Sequence, residues 1–158
     1  MSATEKNDGH LQFAKSAFNE TWNYMEQSDR SEEVNDKMLA AAYSSFYHWS
    51  FAGTALNIQR GHWLISRVHS MLNNYPMALY HAERCLEITL KNSDLMQDFD
   101  LPFAYESVAR AHSLSEHPKQ AQEYIQLALS SAENIKKPDD RSYFLQDLKG
   151  HNWGEIRP

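Results

Sequence analysis

The chain has 158 residues, of which 42% are hydrophobic and 12% aromatic, and its formal net charge is −6. This length suits one domain with a real core, and so high an apolar content argues against a disordered chain. The net negative charge argues against general affinity for nucleic acid or anionic membranes, because that affinity depends on dense positive charge.

The sequence also indicates the cellular compartment of the protein. No apolar run reaches the about 18 residues needed to span a bilayer, and the polar segment 1–9 is unlike a secretory signal. The single cysteine, Cys85, cannot form an internal disulfide, so an oxidising compartment is not indicated. We therefore expect a cytoplasmic protein that binds neither nucleic acid nor membranes.

Apolar residues recur with a helical period along almost the whole chain, and no stretch alternates as a strand does. The predicted helices cover about 8–25, 31–53, 54–72, 76–91, 102–115, 118–137 and 138–150. The caps expected for the first three are Asp8, Ser31 and Thr54. The pattern predicts an all-α fold, a single domain over 1–158 with about seven helices in antiparallel pairs. The segments 1–8 and 151–158 are expected to be flexible tails.

Two of the predicted helix pairs, 59–90 and 102–135, share one packing scheme. A shift of 43 residues superposes similar side chains from the two pairs. The matched positions are Ile65 and Val108, Ser66 and Ala109, Arg67 and Arg110, His69 and His112, Ala78 and Ala121, Ala82 and Ile125, Cys85 and Ala128, and Leu86 and Leu129. The small residues among them allow two helices to approach closely.

These positions resemble the tetratricopeptide repeat (TPR), in which a large apolar residue precedes a small one and another small residue opens the second helix. The resemblance implies a right-handed array of helical hairpins with a C-terminal capping helix, whose first helices line a concave groove. The family period is about 34 residues. The longer period here predicts a longer second helix and connection, and the first helix pair, 8–53, matches only by analogy.

The resemblance implies a ligand-binding groove lined by Arg60, Trp63, Arg67, Phe103, Glu106 and Arg110. Helical spacing by itself also places Arg60, Trp63 and Arg67 on one stripe. Arginine and tryptophan are enriched at binding hot spots, and guanidinium groups bind carboxylates and phosphates in bidentate fashion. The stripe therefore predicts an anionic or acidic ligand.

The counter-charge of these arginines is an open question, because 38–81 contains no Asp or Glu. It must come from elsewhere in the fold, from a second subunit or from a ligand. The carboxylates considered within the fold are Glu83, Glu87 and Glu106. The competing interpretation is a structural salt-bridge network with Trp63 packed against a neighbouring helix. If the arginines serve binding alone, replacing Arg60 and Arg67 by alanine leaves the fold intact.

Eight histidines raise the question of a metal site. His62 and His69 are seven positions apart, about 10 Å along a helix, which is too far to share an ion. His112 and Glu116 have chelating spacing, but three protein ligands cannot be assembled. We expect no metal and no cofactor. His69 and His112 are predicted to be hydrogen-bonded core residues.

The run 41–51 is aromatic on nearly all sides. A helix that is apolar all round is normally buried all round, so we expect it to lie between the first and second helix pairs. Two alternatives stay open: that Tyr47 or His48 faces the groove, or that this surface forms a homodimer.

Three functions are consistent with these observations. We favour a non-catalytic interaction module that binds a peptide or acidic protein partner in the groove. The first alternative is a sensor or carrier of a small anion in a closed pocket. The second is an enzyme that uses His48, His62 or a Tyr–His–Glu group. We expect no enzymatic activity, because no catalytic motif with a convincing spacing occurs.

Overall fold

The computed structural model describes residues 3–115, 118–156 and 158, and its helices confirm the all-α prediction. No strand occurs among these residues. The helices are α1 (Ala3–Met25), α2 (Glu32–Ala52), α3 (Ala55–Met71), α4 (Tyr75–Lys91), α5 (Asp100–His112), α6 (Pro118–Ala132) and α7 (Pro138–Gly150). None of the helices in this part of the chain is long and apolar enough to cross a membrane.

Side-chain caps set several helix boundaries. Ser31 accepts a hydrogen bond from the backbone N–H of Val34 at 3.3 Å, as expected of an N-cap. Asn74 accepts one from Met77 in the same way and starts α4. The first helix differs from the prediction, because it begins at Ala3 and runs through Asp8 without a break.

The helices pack as neighbouring hairpins: α1 with α2, α3 with α4, and α5 with α6, with further contacts between α2 and α3 and between α4 and α5. The small residues of the sequence repeat lie at these contacts. Ser66 is buried and donates a hydrogen bond to the carbonyl of Ala78 at 2.8 Å, which joins α3 to α4 directly. Ala109 and Ala121 are likewise fully buried on α5 and α6.

The extra length of the repeat lies between α4 and α5. Helix α4 ends at Lys91 and α5 starts at Asp100, and a short 3-10 turn, Ser93–Leu95, lies in the connection. This connection, residues 92–99, is longer than the connection 53–54 between α2 and α3. The carboxylate of Asp98 in this segment accepts a hydrogen bond from the backbone N–H of Lys136 at 3.0 Å and so ties it to the segment before α7.

The segment after α7 is not a free tail over its described residues. Trp153 is 6% exposed, and its indole N–H donates to the carbonyl of Leu148 at 2.7 Å. The ring packs in a core cluster with Phe144 and Ile125. The prediction of a flexible tail overlooked that a lone tryptophan after a helix can complete the core beneath it.

The aromatic run on α2 is also less enclosed than expected. Tyr47 is 57% exposed and Phe51 is 56% exposed, so the helix is not buried all round. Its buried side consists of small side chains, Ala41, Ala42 and Ser45. Small residues allow α1 to pack closely there, and the large rings at the end of the run lie at the surface.

Candidate functional site

A small aromatic cavity lies where the odd-numbered helices meet. Its volume is about 180 Å³. We call it the aromatic cavity; its lining is Phe18 and Trp22 from α1, Gln59, Arg60 and Trp63 from α3, Phe99, Asp100 and Phe103 at the start of α5, and Tyr143 from α7. The rings hold one another: Trp22 stacks on Trp63 at 5.9 Å between centroids, and Phe103 meets Trp63 edge-on at 5.8 Å.

A second cavity of about 340 Å³ adjoins the first. We call it the basic cavity; it is lined by Lys15, Phe18, Asn19, Trp49, Asn57, Arg60 and Gly61. This described lining contains two cations, two amides and no acidic residue. Phe18 and Arg60 line both cavities, which together form what we call the groove. Lys15 is exposed and forms no ion pair with another described residue.

Arg60 stands at the junction and keeps part of its binding capacity. Its Nε and Nη2 donate to the two carboxylate oxygens of Asp100 at 2.9 and 3.1 Å. Asp100 is buried, whereas the Arg60 side chain is 38% exposed. The guanidinium also lies 5.2 Å from the Phe99 ring centroid. The pairing orients Arg60 side-on, so Nη1 makes no hydrogen bond to another described residue.

The other two predicted arginines belong to a buried ion-pair network beside the aromatic cavity. Arg67 pairs with Asp147 on α7, its Nη1 donating to Oδ2 at 2.8 Å, and its Nη1 lies 3.7 Å from Oε2 of Glu106. Arg110 donates through Nε to Glu106 at 2.7 Å and lies 3.5 Å from Asp147. Glu106 is fully buried. A buried carboxylate needs a nearby opposite charge, and these two arginines supply it.

Arg67 and Asp147 are each stabilised in their charged forms by their partners in this network, whereas burial and the neighbouring Arg67 lower the pKa of Arg110. Burial alone disfavours the cation of Arg67, but Glu106 and Asp147 hold its pKa above the usual value. Burial also disfavours the carboxylate of Asp147, but the two arginines hold its pKa below the usual value. Arg67 further lies 5.5 Å from the Trp63 ring centroid, which couples the network to the aromatic cavity.

The structure thus divides the six residues predicted to line the groove. Arg60, Trp63 and Phe103 line the aromatic cavity, whereas Arg67, Glu106 and Arg110 form the buried network. The counter-charges are internal. Of the three carboxylates considered, only Glu106 contributes; Glu87 instead pairs with Arg84 and Lys91.

The sequence reasoning missed several lining residues. They are Lys15, Phe18, Asn19, Trp22 and Asn57, and Tyr143 of α7. Asp147 of the buried network was missed as well. A signal was present, because Lys15, Asn19 and Trp22 share one stripe of α1. Applying the same stripe analysis to the first and last helices would have identified the lining residues on α1 and α7.

A chain of hydrogen-bonded rings lies in the core between α2, α3 and α4. The Tyr43 hydroxyl lies 3.1 Å from Nε2 of His69 and 3.1 Å from Nε2 of His81. Nδ1 of His81 lies 2.9 Å from Nδ1 of His62. Burial lowers the pKa of His62 and of His81 to about 4 and also lowers that of His69. These histidines are neutral at pH 7. Among the described residues, none of these four rings is hydrogen-bonded to a carboxylate.

The remaining candidates are dispersed. His48 pairs with His10 near the surface, away from His62. No group of three or more His, Cys, Asp or Glu side chains that could hold a metal occurs among the described residues. Glu116, proposed above as a partner of His112, lies outside them.

Cys85 is fully buried, and burial raises the pKa of its thiol, so it is a packing residue.

A larger cavity, of about 500 Å³, lies between the α4–α5 connection and the start of α7. Its charged lining residues are of both signs: Asp98, Asp140, Lys136 and Lys137. This mixture gives it no preference for an anion or a cation, so the groove is the more defined site.

Comparisons with known proteins add no further constraint. No family model matches the sequence, and no curated protein and no solved structure matches it significantly.

Proposed function

We propose that the protein is a non-catalytic interaction module that binds a peptide segment of a protein partner in the groove. The segment carries a bulky apolar side chain next to an acidic group. The observation that carries this proposal is the adjacency of the two cavities, which share Phe18 and Arg60. An apolar side chain enters the aromatic cavity while a carboxylate meets the cations of the basic cavity.

Charge supports an acidic group at one end of the groove only. Around the aromatic cavity and the buried network, three arginines are matched by three carboxylates, Asp100, Glu106 and Asp147. A ligand gains little there from its own charge. In the basic cavity, Lys15 is a cation without an ion-pair partner among the described residues, and the free Nη1 of Arg60 adds a hydrogen-bond donor.

Size supports a peptide side chain over a whole small molecule in the aromatic cavity. At about 180 Å³ the cavity falls below the range of roughly 300–1,000 Å³ that holds drug-sized ligands.

A non-catalytic role fits the position of the titratable rings. Tyr43, His62, His69 and His81 line neither cavity of the groove. We further propose that the hairpins are TPR-like and that the protein acts in the cytoplasm, where a lone buried thiol such as Cys85 stays reduced.

The experiment is a titration with short acetylated peptides in which Leu, Phe or Tyr stands beside Asp or Glu. Matched peptides carry Lys in place of the acid. Three of the four tryptophans, Trp22, Trp49 and Trp63, line the groove, so intrinsic fluorescence reports binding. We expect saturable changes with the acidic peptides only. Equal binding of the basic set, or binding of free carboxylate or phosphate alone, contradicts the proposal.

A pair of matched variants tests the aromatic cavity. Tyr143 lines it and is 55% exposed, so Tyr143→Ala leaves the core intact and weakens binding of the apolar side chain. Tyr80 is 53% exposed and lies outside the groove, so Tyr80→Ala is the control. Equal affinities of the two variants would place the ligand elsewhere.

A further inference from the structure

Five aromatic rings from α1 and α2 form an exposed cluster, which we call the aromatic patch: His10, Phe13, Tyr47, His48 and Phe51. Phe13 is 59% exposed, and Tyr47 and Phe51 are exposed to a similar extent. Monomeric proteins seldom expose several large rings in mutual contact, and such patches commonly mark interaction sites.

Two imidazoles converge at the centre of this patch. Nδ1 of His10 lies 2.8 Å from Nδ1 of His48. The His10 ring stacks on Phe51 at 4.4 Å, and the His48 ring contacts Phe13 and Tyr47 at 5.3 Å each. The neighbouring rings therefore hold both Nδ1 atoms toward one point between α1 and α2.

This spacing is close to that of two ligands on one metal ion. Zinc binds imidazole nitrogen at about 2.0–2.1 Å in tetrahedral geometry, which places two ligand nitrogens about 3.3 Å apart. A shift of about 0.5 Å between the rings creates that separation. Each Nδ1 must offer a lone pair, so the Nδ1 proton of the hydrogen-bonded pair moves to Nε2 of the same ring. Neither Nε2 is hydrogen-bonded to another described residue, so both are free to carry a proton.

A single copy supplies only half of a tetrahedral set, because no group of three ligands occurs among the described residues. The surface around the pair suits self-association. Residues 38–59 contain no Asp, Glu, Lys or Arg, so burying this part of α2 in an interface desolvates no charged side chain. A two-fold axis through the ion brings the same two histidines from a second copy and places one aromatic patch against the other.

We propose that His10 and His48 form half of a transition-metal site, which a second copy of the chain completes. The resulting dimer holds one ion, Zn²⁺ in the test below, with four imidazole ligands, and it buries the exposed rings of both patches. Imidazole is a preferred ligand of zinc and of copper, and neutral histidines favour such ions over Ca²⁺ or Mg²⁺. This inference is independent of the groove.

The test is the molar mass in solution by light scattering, with EDTA and then with ZnCl₂. We expect 18.3 kDa in EDTA and twice that mass with zinc. Isothermal titration calorimetry should give one ion per two chains. His10→Gln and His48→Gln retain a hydrogen-bonding side chain but remove the ligand, so each should abolish both effects. An unchanged mass, one ion bound per monomer, or dimerisation of either variant by zinc would overturn the proposal.

A second pair of variants tests the aromatic part of the interface. Phe51→Ser should shift zinc-dependent dimerisation to higher protein concentration, because it removes apolar contact across the axis. Leu127→Ser is the control, since Leu127 is 46% exposed on α6, outside the aromatic patch. The proposed interface is wrong if both variants dimerise as the wild type does.

Discussion

The guanidinium of Arg67 on α3 pairs with the carboxylate of Asp147 on α7, 80 positions later in the chain. The same carboxylate lies 3.5 Å from Arg110 on α5. One acidic side chain of the last helix thereby joins three helices that line the same side of the fold. The pair removes Arg67 from the set of residues that can bind a ligand and makes it a structural residue.

Replacing Arg67 by alanine should therefore destabilise the protein. The change leaves Glu106 and Asp147 buried or half-buried with one arginine between them. Breaking a buried pair from one side costs about 3–5 kcal/mol, a large part of the stability of a domain this size. Urea denaturation followed by circular dichroism measures the loss. This expectation corrects the prediction that Arg60→Ala with Arg67→Ala leaves the fold intact.

Lys37→Ala is a useful comparison. Lys37 pairs with Glu33 at 2.6 Å, but both side chains are more than half exposed. Solvent screens an ion pair between exposed groups, so this variant should unfold close to the wild-type midpoint. Similar midpoints for Arg67→Ala and Lys37→Ala would show that the buried network does not stabilise the fold.

Stability should fall as the pH drops from about 6.5 to about 4. The native pKa of His62 and of His81 is about 4, below the ordinary value of 6.5. In this window the unfolded chain binds more protons than the native state, so the free energy of unfolding rises with pH. Each histidine contributes a slope of about 1.4 kcal/mol per pH unit.

Urea midpoints measured at several pH values check this slope. His81→Gln should flatten the pH dependence of stability by the contribution of about one histidine. Leu127→Ser should leave the slope unchanged, since it removes no titratable group and Leu127 is 46% exposed. A stability that is independent of pH over the window would mean that these rings titrate normally.

Cys85 should resist thiol reagents in the native state. Its side chain is fully buried, and burial raises its thiol pKa, so little thiolate forms and little reagent reaches it. With a chromogenic disulfide reagent, we expect labelling only as fast as the protein unfolds, and complete labelling in urea. Rapid labelling of the folded protein would show that α4 opens locally.

The helices could be predicted because their determinants are local. Ser31 caps α2 by accepting from Val34, three positions along the chain, and Pro76 and Pro138 occupy the first turns of α4 and α7. The repeat of small residues, such as Ser66 and Ala78, identified the helix pairing for a similar reason, since close packing restricts side-chain size at each contact.

The candidate site was only half predictable. Helical spacing correctly put Arg60 and Trp63 side by side, because both lie on one helix. It could not reveal that Asp100 and Asp147 neutralise the arginines, since those contacts depend on how α5 and α7 pack against α3. Burial of Trp153 was missed for the same reason, as nothing in its neighbouring sequence indicates the core beneath it.

The most direct test of the groove is the affinity of Lys15→Glu for an acidic, apolar peptide, compared with Lys119→Glu. Both lysines are exposed and both variants change the net charge equally, but only Lys15 lines the groove. Lys15→Glu removes an attractive contact with the acidic group of the peptide and replaces it with a repulsive one. The affinity should therefore fall by about tenfold or more. We predict that loss for Lys15→Glu and near wild-type affinity for Lys119→Glu. Equal affinities for the two variants would contradict binding in the groove.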